Sequence, residues 1–204
     1  MKSIFFAFLA SLMIASPIGS VALAETDTHE RATASNNFSG SSVYSRRRYR
    51  SDKSPIPRKE IAFKEGYPAG TIIIDTSDRR LYHVLGNGKA MRYGVGVGRE
   101  GFEWSGTNRV SRKAEWPSWT PPEVMIKREA AKGRILPRYM EGGPNNPMGA
   151  RALYIGSTIY RIHGTNEPWS IGQAMSSGCI RMANDDVRHL YERVSVGNRV
   201  IVRH

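Results

Sequence analysis

The sequence is short of cysteine, of acid and of long apolar runs. Cys179 is the only cysteine among 204 residues, so no internal disulfide can close and no thiolate cluster can hold a metal. Lys and Arg number 30 against 18 Asp and Glu, a formal net charge of +12, which argues against a cationic partner. The main apolar run, Ile4 to Ile14, is interrupted by Ser11 and falls short of the roughly 20 residues that span a bilayer. The four histidines after residue 60 lack close ligand spacing, so no zinc signature is present.

What is there begins with an address. Lys2 supplies a positive start, Pro17 and Gly19 end the apolar run, and Ala22-Leu23-Ala24 suits signal cleavage, so residues 1–24 read as a secretory signal. The expected destination is the periplasm, in association with the cell wall, with no integral span after cleavage. Export argues against nucleic acid as the anionic partner. It leaves peptidoglycan stems, envelope polyanions and acidic proteins. Residues 25–60 are rich in Ser, Thr, Asn and Arg, including Arg46-Arg47-Arg48-Tyr49-Arg50, and read as a disordered basic linker or tether.

Residues 61–204 suffice for one domain with one core. Thr71–Asp75 reads as a buried strand, Arg80–Leu85 as an alternating one, and Asn87-Gly88 as the turn joining it to a strand over Met91–Val97. Further strands are expected at 110–116, 153–155, 159–163 and 199–203. Val124–Lys132 has helical composition. A second helix is expected from Asn184 as its cap, with Val187, Leu190, Tyr191 and Val194 on one face. Gly133–Gly149 is a long Gly/Pro-rich loop of the kind that covers a site. The fold class is therefore mainly β, with one or two short helices.

A lone thiol in Ser176-Ser177-Gly178-Cys179-Ile180-Arg181-Met182 fits a uniform apolar core segment poorly. His163 ends a predicted strand upstream. An imidazole can take the proton of a thiol and hold the resulting ion pair, so Cys179 is the candidate nucleophile and His163 its base. His83 and His189 read as packed or surface residues. Tyr154 and Tyr160 alternate with apolar neighbours and read mostly as core, with groove lining as the alternative. Trp116, Trp119 and Trp169 read as packing anchors or as stacking surfaces for a substrate.

His163-Gly164-Thr165 and Ser176–Met182, together with Gly70–Asp75, Trp116–Pro122 and Gly143–Gly149, resemble the L,D-transpeptidases of bacterial peptidoglycan (YkuD type), over most of 66–204. The resemblance implies a β-sandwich-like catalytic domain that needs no cofactor and no metal. Its cysteine attacks the bond between diaminopimelate and the terminal D-alanine of a tetrapeptide stem. A thioester forms, and its acyl group passes to an amine with release of the cysteine, in cell-wall biogenesis and cell-shape maintenance. The acceptor is another stem, an outer-membrane protein or, giving exchange, a free D-amino acid. Water as acceptor would make an L,D-carboxypeptidase or amidase, and a non-catalytic basic wall-binding protein is the alternative outside enzymes. Carbapenem-type inhibitors are expected to acylate the same sulfur. Carried over residue by residue, Cys179 is the nucleophile, His163 the base, and the Gly164 carbonyl orients the imidazole. The Gly178 and Cys179 amides form the oxyanion hole, and Arg181, Ser177 and Tyr160 are the substrate-binding candidates. Arg181 has the alternative of a salt bridge to Asp185 or Asp186. Ser177 stands where many family members carry histidine, so no second imidazole is available; its alternatives are a hydrogen bond or a fit to the turn.

Overall fold

The computed structural model describes residues 52–204. The expected signal at 1–24 and the linker up to residue 51 lie outside the described residues. From Asp52 onward the chain is packed, so the linker expected to run through residue 60 ends earlier. Ile56 lies over Gly94 and Gly172, where a side chain would leave no room. Arg58 pairs with Asp186 at 2.9 Å. The Asp52 carbonyl accepts the Asp185 N–H at 3.0 Å.

The strands are β1 (Lys59–Ala62), β2 (Ile72–Asp75), β3 (Arg80–Gly86), β4 (Lys89–Gly94), β5 (Val97–Gly98), β6 (Gly106–Glu115), β7 (Arg151–Ile155), β8 (Arg161–His163), β9 (Ala174–Ser176), β10 (Ile180–Arg181) and β11 (Arg199–Arg203). Among the described residues the α-helices are α1 (Glu123–Ala130) and α2 (Asn184–Tyr191). Nine strands form one sheet in the order β1-β4-β3-β2-β11-β6-β7-β8-β10, and β5 pairs with β9. Most neighbours are antiparallel, but β11 runs parallel to β2, and β10 parallel to β8.

Strand β6 joins the two halves of the sheet. Its first residues pair with β11 and its later ones with β7, with a register irregularity between Val110 and Arg112. An irregularity of this kind bends a strand and curls the sheet. Ser111 at the bend donates its hydroxyl to the Gly156 carbonyl at 2.7 Å. The curl explains why Ile72, Ile73 and Ile74 are all buried. Successive side chains point to opposite faces. Ile72 and Ile74 enter the main core with Leu153, Ile162, Val187 and Leu190, while Ile73 joins Phe63, Val84 and Ala90 beneath β1.

The Asn87-Gly88 turn forms as expected, both residues having positive φ, at 52° and 71°. The strand expected over Met91–Val97 is split, because β4 ends at Gly94 and β5 pairs elsewhere. Strands β1, β9 and β10 were not expected; two to four residues of strand leave almost no periodic trace. Helix α2 begins at Asn184 with Ala183 as its cap residue, which corrects the expectation that Asn184 is the cap. The Asn184 side chain is turned inward instead, where its Oδ1 accepts the amides of Ala150 at 2.9 Å and Thr165 at 3.3 Å.

Candidate active site

The parallel pair β8–β10 sets the site. Ile180 lies beside Ile162, and Arg181 beside His163. Side chains of neighbouring strands at the same register share a face, and faces alternate along each strand. Ile162 and Ile180 point into the core, at 0% and 1% exposure. Arg161, His163, Cys179 and Arg181 therefore take the opposite face, and all four line one cavity of about 170 Å³. The far wall comes from the segment around α1: Trp119, Pro122, Met125, Pro147 and Met148. The loop expected to cover the site does reach it through Pro147 and Met148, but the cover starts earlier, at Trp119.

That cover is fastened from within. Trp119 and Met140 exchange backbone hydrogen bonds, both 2.8 Å. Asn146, 1% exposed, donates to the carbonyls of Met140 and Glu141 and accepts the Met148 amide. Glu129 at the end of α1 binds Arg128, Lys132 and Arg134.

His163 is buried, and its Nδ1 lies 2.6 Å from the Gly164 carbonyl. A carbonyl only accepts, so Nδ1 carries the proton and Nε2 keeps its lone pair. Burial, helped by the charge of Arg181, lowers the His163 pKa to about 3, against the pull of the Gly164 carbonyl. Burial likewise pushes the Cys179 thiol up, although the backbone amide, charge and side chain of Arg161 act in the opposite sense. Both shifts favour neutral forms. Burial of both groups thus favours thiol and imidazole over the ion pair that the sequence suggested.

The turn carrying Cys179 is closely packed and hydrogen-bonded. Gly178 has φ +102°, and a Cβ there would stand 2.5 Å from Tyr160 Cε1. The Tyr160 ring stacks on Trp104 at 4.4 Å, and Trp104 Nε1 donates to the Gly178 carbonyl at 2.8 Å. Ser176 Oγ accepts the Gly178 amide at 3.1 Å and donates to the Cys179 carbonyl at 2.6 Å.

These contacts sort the sequence candidates. Cys179, His163, Arg181 and Ser177 are brought to one cavity. Tyr160 does not line it; the ring supports the Gly178 turn from the other face. The Gly178 amide, expected in the oxyanion hole, is already taken by Ser176. Ser177 Oγ accepts a hydrogen bond from Arg128 of α1 at 3.3 Å. Arg181 is held by Glu167 at 3.3 Å and Ser170 at 3.5 Å, and not by Asp185 or Asp186. Asp185 pairs with Arg188, and Asp186 with Arg58. Of the tryptophans, Trp119 lines the cavity while Trp116 and Trp169 are partly exposed. Sequence reasoning missed Trp104, Arg128 and Arg161. For Arg161 the signal was present, because alternation along the strand expected at 159–163 already puts it on the His163 face.

Comparison with known proteins agrees with this geometry. The L,D-transpeptidase catalytic-domain family (YkuD) matches residues 69–202. "Probable L,D-transpeptidase ErfK/SrfK" of Escherichia coli K12 is 40% identical over 134 residues, covering 63% of this chain and 42% of the relative. "Probable L,D-transpeptidase YbiS" of the same organism is 41% identical over 134 residues, with 63% and 43% covered. The match thus spans less than half the length of these curated relatives. An L,D-transpeptidase structure from Mycobacterium smegmatis shares the fold at TM-score 0.51 and 19% identity, covering 66% of this chain and 58% of that one. Among the described residues no helix is long and apolar enough to cross a membrane. By the extent of the family match, which includes both Cys179 and His163, the chain belongs to the L,D-transpeptidase catalytic-domain family.

Proposed function

We propose that this protein is an exported cysteine L,D-transpeptidase that takes a peptidoglycan tetrapeptide stem onto Cys179, releases the terminal D-alanine and passes the stem to an amine. The observation that carries the proposal is the shared face of β8 and β10, which turns Cys179 and His163 into one cavity.

The steps follow from the resting protonation states. As Sγ attacks the scissile carbonyl, its proton passes to His163 Nε2, and a sulfur–carbon bond forms. Because both partners rest neutral, proton transfer accompanies the attack. The oxyanion is assigned to the Cys179 amide, and the Gly178 amide joins only by leaving Ser176 Oγ. The carbon–nitrogen bond then breaks, and the imidazolium returns its proton to the departing D-alanine amine. An acceptor amine attacks the thioester, loses its proton through His163, and sulfur leaves protonated. The Gly164 carbonyl keeps the imidazole oriented throughout, the part a carboxylate plays in other triads.

The acceptor is a second stem or a protein amine. The apolar wall of Trp119, Pro122, Met125, Pro147 and Met148 disfavours water, which supports transfer over the L,D-carboxypeptidase or amidase reading. The periplasm as the site of action follows from the expected signal at 1–24, and attachment to the wall from the basic charge.

Intact-protein mass spectrometry tests the reading. A carbapenem should add covalently to the wild type, not to Cys179→Ala, and about a hundredfold or more slowly to His163→Ala. Disaccharide-tetrapeptide should yield dimers; tripeptide alone would mean hydrolysis. No adduct on folded wild-type protein would leave the non-catalytic wall-binding reading standing.

A further inference from the structure

The cavity contains two guanidinium groups and no carboxylate among its lining residues. They differ in one respect. The charge of Arg181 is answered by Glu167, with Ser170 beside it. Arg161 has no ion-pair partner among the described residues. Its guanidinium lies 5.3 Å from the Tyr154 ring, and Arg112 lies 3.6 Å from the same ring. Two cations thus share one aromatic ring with no anion between them. Register fixes where Arg161 points: Tyr154 is its partner across β7, and the parallel pairing to β10 puts it beside Cys179 on the cavity face. Its charge also acts on the Cys179 sulfur, lowering the thiol's pKa against the opposing effect of burial.

A planar, permanently charged fork facing a cavity without a counter-ion suits a carboxylate. The donor in the proposed reaction carries carboxylates close to the bond being broken. The carboxylate of the departing D-residue is three covalent bonds from the attacked carbonyl carbon. The side-chain carboxylate of diaminopimelate lies further along. Either would complete the unanswered charge while the carbonyl sits over Sγ.

We propose that Arg161 is the specificity-determining residue of this cavity: it binds a carboxylate of the donor stem and thereby positions the scissile carbonyl above Cys179. This rests on the transpeptidase reading and sharpens it, since it moves carboxylate recognition from Arg181 to Arg161. Arg181 instead braces the neighbouring turn through Glu167 and Ser170.

The test crosses variants with donors. Full-length wild type, Arg161→Gln and Arg161→Lys are each given the tetrapeptide stem in three forms: free acid, C-terminal carboxamide, and amidated at the diaminopimelate side chain. Release of the terminal residue is followed as kcat/KM. In the wild type one amidation should cost about tenfold to a hundredfold. Which of the two does so identifies the carboxylate that is read. In Arg161→Gln the free acid should lose that same factor, and the damaging amidation should then cost nothing further. Arg161→Lys should recover part of the loss. Equal loss by Arg161→Gln on all three donors would overturn the proposal and assign the residue to the sulfur or to the fold. Binding of the three peptides to Cys179→Ala, with and without Arg161→Gln, reads the same coupling without turnover. If the wild type releases nothing from any donor, the transpeptidase reading fails. The affinities then decide separately whether Arg161 reads a carboxylate: discrimination between acid and amide that vanishes with Arg161→Gln supports it, and none overturns it.

Discussion

Helices α1 and α2 are the same length and are held by different forces. Helix α1 buries none of its eight residues, whereas α2 buries Asn184, Asp186, Val187 and Leu190. Helix α1 is tied by surface charge, through Glu129 and its three cations. Helix α2 is tied by apolar area, by the Arg58–Asp186 pair and by the inward amide of Asn184. Exposed ion pairs contribute little and weaken with salt, while buried area and buried hydrogen bonds do not. Catalysis as proposed draws on both: α2 fixes the His163 loop, and the α1 segment forms the wall that a substrate must pass.

The largest effect should come from breaking the α2 side. Leu190→Ala removes a fully buried side chain from the main core and should cost about 2–5 kcal/mol in urea unfolding. Asn184→Ala comes next. It strands the amides of Ala150 and Thr165, for a loss of about 2–3 kcal/mol, and it slows carbapenem acylation at temperatures where the protein is still folded. Asn184→Asp, which keeps an acceptor oxygen, should recover part of that rate.

Acid should act on the same side. His163, His189 and His83 all lie below the ordinary imidazole value of 6.5, with burial the leading cause; His163 is near 3 and His189 near 4. Above pH 6.5 these rings are neutral in folded and unfolded chains alike. Below it the unfolded chain binds protons that the folded chain refuses, so stability falls from pH 6.5 towards 4. The slope for the buried His163 is about 1.4 kcal/mol per pH unit, and the more exposed His189 adds less. Thermal unfolding at pH 7, 6 and 5 measures it. A midpoint unchanged over that range would contradict the assignment. Helix α1 carries no histidine.

The smallest effect should come from Glu129→Gln. The urea midpoint should stay within error, while hydrogen exchange in 123–130 speeds up, as 0.5 M salt should also cause in the wild type. A large drop in midpoint would mean that α1 is part of the cooperative core, and the contrast between the helices would fail.

What the sequence made legible follows the same division. Ile72–Ile74, the Asn87-Gly88 turn and the apolar face of α2 were readable, because burial and turn chemistry leave periodic marks on the chain. Cys179 and His163 were readable as a pair through their motifs. The partners that tune them were not. Trp104 comes from a distant loop, Arg128 from a helix with no buried face, and Asn184 resembled a cap because local sequence cannot show a side chain turned inward to Ala150 and Thr165. Nor could spacing reveal that Ser176 occupies the Gly178 amide. The neutral state of Cys179 depends on burial, which no motif encodes.

That neutral state has a consequence for the durability of the protein. Peroxide and disulfide exchange consume thiolates far faster than thiols. In the proposed reaction, by withholding ionisation until a substrate carbonyl is in place, the fold shields its single thiol from the damage that a permanently charged one would accumulate between turnovers.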